Sequence, residues 1–208
     1  MKLTKERIVE AAIDAFAEVG YHGLSMRQVA ERLGAHAGSL YYHVRNKKDL
    51  LALVADRVCG QAYDAGTAAL TALPPGATWQ DEIQAQADAL RHVILRHPSG
   101  AILLADSPKL LSPGALSLME RLLSTLEGAG VPAGPRIVAA DTLLSHVTGF
   151  VLQEQGTPPA RDLTPDAYAT MLERFPRVFQ EAPGMGQDEK FVRSVRLLCA
   201  AFESLIET

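Results

Sequence analysis

Between residues 36 and 48 the chain gathers side chains able to bond a phosphate or a base edge: His36, Ser39, Tyr41, Tyr42, His43, Arg45, Lys47 and Lys48. Hydroxyls, imidazoles and cationic nitrogens on one short element suit contacts to phosphate oxygens, which fix position, and to base edges, which carry sequence information. The adjacent tyrosines sharpen this reading. A merely solvated face gains nothing from two exposed rings, whereas a face set on DNA can lay one ring on a sugar or a thymine methyl and aim its hydroxyl at phosphate. The bland alternative is an ordinary helical hairpin with a polar outer face.

Such a set needs a rigid support immediately upstream. Met26, Val29, Ala30 and Leu33 recur at helical spacing, and the apolar pattern resumes at Ala35, Leu40 and Val44 after Gly34 interrupts it. Ser25 offers a capping oxygen, and Gly34 stands where a left-handed C-cap is wanted. Two short helices joined by a tight turn predict a helix-turn-helix, the first helix propping the second toward a major groove. Ahead of it, Thr4 and Gly20 bracket a helix over residues 5 to 19 with Ile8, Ala11, Ala12, Ala15, Phe16 and Val19 on one stripe. Phe16 packed on Leu24, Val29 and Leu40 closes a three-helix head, with Tyr21 as a packing ring.

The whole chain has 208 residues, is 48% hydrophobic and carries a net charge of −4. That length and composition allow one small and one medium domain. The charge excludes a nonspecific nucleic-acid coat but not a local reader. Residues 1 to 48 hold eight Lys and Arg against five Asp and Glu, a local +3 that leaves −7 on the remainder. A basic head on an acidic body is the expected consequence. Cys59 and Cys199, with no metal-ligand spacing, read as reduced thiols. No leader and no apolar run able to span a bilayer is seen, so the expected location is cytoplasmic, with no membrane partner.

The remaining chain reads as helices throughout, with no alternating strand period. A connecting helix over about 47–68 carries Lys47 and Lys48 at its start, where cations oppose the helix dipole unless phosphate lies beside them. Pro74, Pro75 and Gly76 stop it, and Thr78 caps a helix over 79–96 with Ile83, Ala87, Leu90, Val93 and Ile94 inward. A short apolar piece follows at 99–107, then a helix from Ser112 and Pro113 to Gly128, one over 136–156, one from Thr164 and Pro165 through Phe179, and one over 188–206. The domain reading is 1–48 for the head and 49–208 for the body.

The stretch from Leu3 to about residue 60 resembles the N-terminal domain of the tetracycline-repressor (TetR) family, and LYYHVRNKKDLL lies close to that family's most specific signature. The resemblance implies an all-α homodimer that binds pseudo-palindromic operator DNA and is released by a small-molecule effector. Arg27 and Tyr41 would then approach bases, with His36, Ser39, Tyr42, His43 and Lys47 divided between bases and phosphates. Ala37 and Gly38 fall where the resembling repressors have glutamine and proline, so one direct base contact is missing. That departure keeps open a second reading, a helical interaction protein whose helix-turn-helix no longer reads DNA.

PPGATWQDEIQAQADALRHVILRHPSGA and LLSHVTGFVLQEQ are similar to the ligand-binding domain of the tetracycline repressors. The alignment puts Tyr63, Gln86, Leu90, Leu104, Leu122 and His146 at cavity-lining positions, with Gly149 leaving room. Such a set suits an apolar or weakly polar effector held by one or two hydrogen bonds. Leu104 stands where those repressors bind magnesium through a histidine, so although His146 and Glu154 match, no metal and no cofactor is expected, nor tetracycline. His92, His97, Asp106, Asp141 and His146 lie outside any metal or nucleophile motif, which disfavours an enzyme. Two apolar stripes, Phe191, Val195, Leu198, Phe202 and Leu205, and Leu143, Val147, Phe150 and Val151, are expected to contribute to a dimeric four-helix bundle, with part of them intramolecular.

Overall fold

The computed structural model describes residues 3–107, 112–156, 164–181 and 184–206. Its elements start where side chains can satisfy the open N–H groups of a helix end. Thr4 accepts from the Arg7 N–H at the start of α1 (Lys5–Gly23), and Ser25 accepts from the Gln28 N–H at the start of α2 (Met26–Arg32). Gly34 adopts φ +62°, and the chain re-enters a helix as α3 (Ala37–Leu40). The second reading helix is thus only four residues long, not continuous to Val44. His36 gives it no side-chain cap and Gly38 is a poor helix former, so turns to Leu40 O replace further helix through His43 and Val44.

Gly20 sits inside α1 with φ +67° and ψ −171°, a break in the helix as the sequence implied. A Cβ there would lie 3.2 Å from Ser99 Oγ, so the bare backbone also lets the head approach the body closely.

The 25-residue α4 (Lys47–Thr71) is capped by Asn46, which accepts from the Asp49 N–H, and buries Leu50, Leu51, Val54, Val58 and Ala62. Thr78 and Asp81 form a reciprocal capping box on α5 (Trp79–Leu95). Asp81 Oδ1 also accepts from Arg196 at 2.7 Å, and these bonds, the arginine's first, hold its carboxyl down to about 2. Then come α6 (Gly100–Asp106), α7 (Pro113–Gly128) and α8 (Ala133–Gly156). α8 begins three residues before the predicted start, because Pro135 is tolerated in a first turn.

α9 (Pro165–Arg174) and α10 (Pro176–Glu181) replace the single helix expected through Phe179. Pro176 forces the break: the residue before proline avoids helical backbone, and Phe175 takes φ −129°, ψ 54°. α11 (Gln187–Glu203) closes the chain's described helices.

Packing follows the apolar faces. α4 lies on α5 and α7, α8 covers α5, α6 and α7, and α11 lies along α5 and α8, while α1 brings the head against α4 and α6. One continuous core runs from Ile8 and Phe16 in the head to Phe191 and Phe202 in the last helix. The two stripes assigned to a dimer bundle belong to this core. Phe191, Val195, Leu143, Val147 and Val151 are buried within one chain, and Leu198, Phe150 and Leu205 pack partly against them. The physical reason is that these rows face α5 and each other. The outward rows are different: Val138, Ser145, Gly149 and Leu152 on α8, and Leu197, Ala200 and Ser204 on α11.

Candidate nucleic-acid interface and ligand cavity

The reading segment is held from both sides. Leu40 is 0% exposed and Val44 3%, and between them Tyr41 is 52% and Tyr42 92% exposed. Two buried anchors four residues apart force the intervening side chains outward, so both rings stand in solvent on a rigid base. His36, Gly38 and His43 are exposed, Ser39 is half-buried, and Ala37 packs partly on the core. At Gly38 a Cβ would meet nothing within 4 Å, so no packing demands glycine there. Arg27 is exposed on α2, where its Nε donates to Glu31 Oε1 at 2.8 Å. This exposed i,i+4 pair contributes at most ~0.5 kcal/mol, little enough for phosphate or a base to displace.

Lys47 is less available than the sequence suggests. Its Nζ donates to the His22 carbonyl at 3.1 Å, tying the end of α1 to the start of α4. Lys48 and Arg45 remain exposed beside it. Sequence reasoning missed Asn46, although an Asn three residues before Asp49 and just ahead of an apolar helix is a recognisable cap.

In the body, a small pocket of about 10 Å³ lies among α5, α7 and α8, lined by Gln86, Leu90, Leu118, Arg121, Leu122 and Val147 among others. That is room for a single water at most. Gln86, Leu90 and Leu122, from α5 and α7, meet around it. Leu104 does not reach the cavity; it packs half-buried on α6. His146 points instead toward α11, its Nε2 2.7 Å from Ser194 Oγ and its ring stacked on Phe191 at 6.2 Å. Gly149 lies on the outward side of α8, where a Cβ would meet nothing within 4 Å. For these two the reason is rotation about the helix axis: residues 146 and 149 lie away from the Leu143, Val147 and Val151 face. A wider groove of about 500 Å³ between α4 and α5, bordered by Ala65, Ala69, Asp88, Ala89, His92 and Arg96, is open to solvent.

The residue that sequence reasoning missed here is Arg121. From α7 its Nε donates to Gln86 Oε1 at 3.0 Å, and its Nη1 to Tyr63 O at 2.6 Å and to Thr67 Oγ1 at 2.9 Å. Its guanidinium lies 4.4 Å from the Tyr63 ring centroid. Gln86 Nε2 donates onward to Thr125 Oγ1 at 3.0 Å. Tyr63 therefore meets the cavity through an arginine. The signal was a cation three residues after Leu118 and four before Thr125, at helical spacing on one face of α7.

Glu154 has a different employment from any metal ligand. Both its oxygens accept from Arg91, Oε2 from Nε at 2.9 Å and Oε1 from Nη2 at 2.6 Å, and Arg91 also bonds Asp188. These bonds stabilise the charged guanidinium, chiefly through Glu154, and raise its pKa. No group of three or more metal-ligating side chains occurs among the described residues.

A capped helix-turn-helix with a solvent-facing tyrosine pair, set on an all-helical body that encloses a cavity, defines a helix-turn-helix regulator. Residues 8–54 match bacterial regulatory proteins of the tetR family, and residues 72–204 match the tetracyclin repressor-like C-terminal domain. The chain belongs to the TetR family of transcriptional regulators. An HTH-type transcriptional regulator of Saccharopolyspora erythraea is 37% identical over 73% of this chain and 61% of its own length. The chain thus spans less than two thirds of that relative. The class D tetracycline repressor protein of Escherichia coli is 30% identical over 87% of this chain and 78% of its own. The Streptomyces coelicolor TetR family protein ActR, solved in complex with (S)-DNPA, is 25% identical, covers 98% of each chain and superposes with a TM-score of 0.81. No helix among the described residues is long and apolar enough to cross a membrane.

Proposed function

We propose that this protein is a homodimeric, cytoplasmic transcriptional repressor without enzymatic activity, which holds a pseudo-palindromic operator through Arg27 and residues 36–47 and leaves it when a small molecule enters the body. The observation that carries the DNA reading is the Tyr41 and Tyr42 pair, projected into solvent between the buried Leu40 and Val44. Residues 1–48 form the reading head and 49–208 the ligand-binding and dimerisation body, with α4 as the lever between them. Its Lys47 end holds the head and its Tyr63 region meets the cavity, about 16 residues or ~24 Å along the axis.

The test is duplex binding against salt concentration. A reader loses affinity steeply with added salt, because counterions displaced from DNA gain less entropy on entering a more concentrated solution, and Tyr42→Ala should weaken binding to all duplexes while circular dichroism is unchanged. Arg27→Ala should relax base preference instead. Salt-insensitive binding, with both variants behaving like the parent, would favour the interaction-protein reading.

A second reading, a constitutive repressor with no effector, draws support from the small volume of the pocket, about 10 Å³. Anything larger than a water needs the helices around this pocket, α5, α7 and α8, to move apart. Such a requirement ties binding to movement: a ligand that prefers the opened body shifts the dimer from its DNA-competent form, and a decisive shift takes ~5.5 kcal/mol of preference.

A further inference from the structure

Arg121 is a cation at a mostly apolar cavity, and no anion among the described residues bonds it. Three of its N–H groups are used on neutral oxygens, those of Gln86, Tyr63 and Thr67. No acceptor meets its Nη2 and no carboxylate is paired with it among the described residues. Asp64 acts on the charge only through space, and burial pulls the guanidinium's pKa down without removing its proton. Contrast Arg91, the other inward arginine of the body, which is closed off by Glu154 and Asp188.

The surrounding chain is shaped to keep Arg121 in place. Gly66 is buried on α4, and a Cβ at that position would sit 2.2 Å from Nη2 and 3.0 Å from Cζ. The Tyr63 ring supports one face of the guanidinium. Leaving a partly desolvated cation without a counter-ion costs free energy. With Nε and Nη1 already donating, the two N–H groups of Nη2 are left to bond an oxygen of a carboxylate or similar oxyanion, whose charge also answers the guanidinium.

We propose that the effector is an anion, an apolar ring system bearing one oxyanion group, that Arg121 is the residue which selects it, and that Gln86 and Thr125 orient its remaining polar atom. This rests on the effector-released reading above and replaces the apolar or weakly polar effector expected from the sequence. The apolar body of the ligand would lie against Leu90, Leu118 and Leu122, and its charge would take over the Nη2 edge.

The test uses two fluorescent probes of nearly the same shape: 8-anilinonaphthalene-1-sulfonate, an anion, and N-phenyl-1-naphthylamine, its uncharged counterpart. Affinities are measured on the full chain for the parent, Arg121→Gln, Arg121→Lys and Gly66→Ala. The expected result is a loss of about tenfold or more in affinity for the sulfonate in Arg121→Gln, a smaller loss in Arg121→Lys, a loss in Gly66→Ala, and unchanged affinity for the neutral probe throughout. The neutral probe also reports whether each variant keeps its cavity. The proposal is overturned if the parent fails to bind the sulfonate, if both probes weaken in parallel, or if Arg121→Gln binds the sulfonate as the parent does. Because probe binding is read without DNA, failure here leaves the salt-dependent duplex test standing, and failure of that test leaves this one interpretable.

Discussion

The Tyr21 hydroxyl donates to Asp106 Oδ2, joining the last turn of α1 to the last residue of α6 across 85 positions of sequence. The same seam sets the Phe16 ring 6.1 Å from His97 and brings Gly20 against Ser99 and Pro98. Head and body are therefore one packed unit in this conformation. The bond to Asp106 and, secondarily, burial raise the Tyr21 pKa. A raised folded pKa means that the bond contributes below the ordinary phenol value of about 10 and is lost as pH rises through the folded one. Asp106→Ala should return this tyrosine to the ordinary range in an absorbance titration. Tyr21→Phe should cost no more than ~1 kcal/mol in urea denaturation, since the pair is exposed. A loss several times larger would show that the hydroxyl bond, and not the packing of the ring that Phe retains, holds the seam.

A second prediction concerns the Arg91 and Glu154 pair, whose side chains are 5% and 11% exposed. Arg91 also lies 5.0 Å from the Phe191 ring centroid. Arg91→Leu leaves a carboxylate buried without its partner and should cost ~3–5 kcal/mol. The double variant Arg91→Leu, Glu154→Leu should recover most of that in chemical denaturation. Equal instability of single and double variants would mean that shape, not charge, is the loss.

The dimer surface is the third. Leu197 is 73%, Val138 64% and Leu152 41% exposed, and Ser145, Gly149 and Ala200 lie on the same outward rows. Small residues between leucines allow two helix pairs to approach closely, so α8 and α11 of two copies should form a four-helix bundle through these rows. Leu197→Glu or Leu152→Glu should give monomers in sedimentation at micromolar concentration, while Leu172→Glu on α9 should not. A dimer also sets operator half-sites at least ~34 Å apart. Gly149→Leu should weaken the dimer too, since Gly149 lies on this outward row of α8 and not at the cavity.

The fourth is a pH dependence. Burial lowers the His97 pKa, with Arg96 adding to it, and burial lowers that of His146. His97 has its Nδ1 buried without a partner and its Nε2 3.4 Å from Gln61 Oε1. A depressed folded value means that the unfolded chain binds protons first, so stability is full above about 6.5 and falls as pH drops through the folded values. Urea midpoints measured from pH 8 to pH 5 should decline, and less steeply in His97→Gln. A flat profile in the parent would show that neither ring is kept neutral by the fold.

Much of the architecture was legible because it is local. Ser25, Gly34, Thr78 and Pro113 act within a few residues of themselves, and capping or positive φ needs no distant partner. The reading segment was legible for the same reason: Leu40 and Val44 at helical spacing fix which intervening side chains face out. Pro176 carried a local signal too, and its weight against the helix period was missed.

Through residue types and short spacings, then, the sequence by itself determined an all-helical chain, a capped helix-turn-helix and the outward tyrosines. Tertiary structure alone decided which apolar stripe faces which neighbour, because a helix has one set of residues and several candidate partners. It turned Phe191 and Val147 inward and left Leu197 and Leu152 outside. It alone gave Glu154 to Arg91 and set Arg121 against Tyr63 and Gln86, since those meetings join residues from 35 to 63 positions apart, and no periodicity reports which distant charge will be answered.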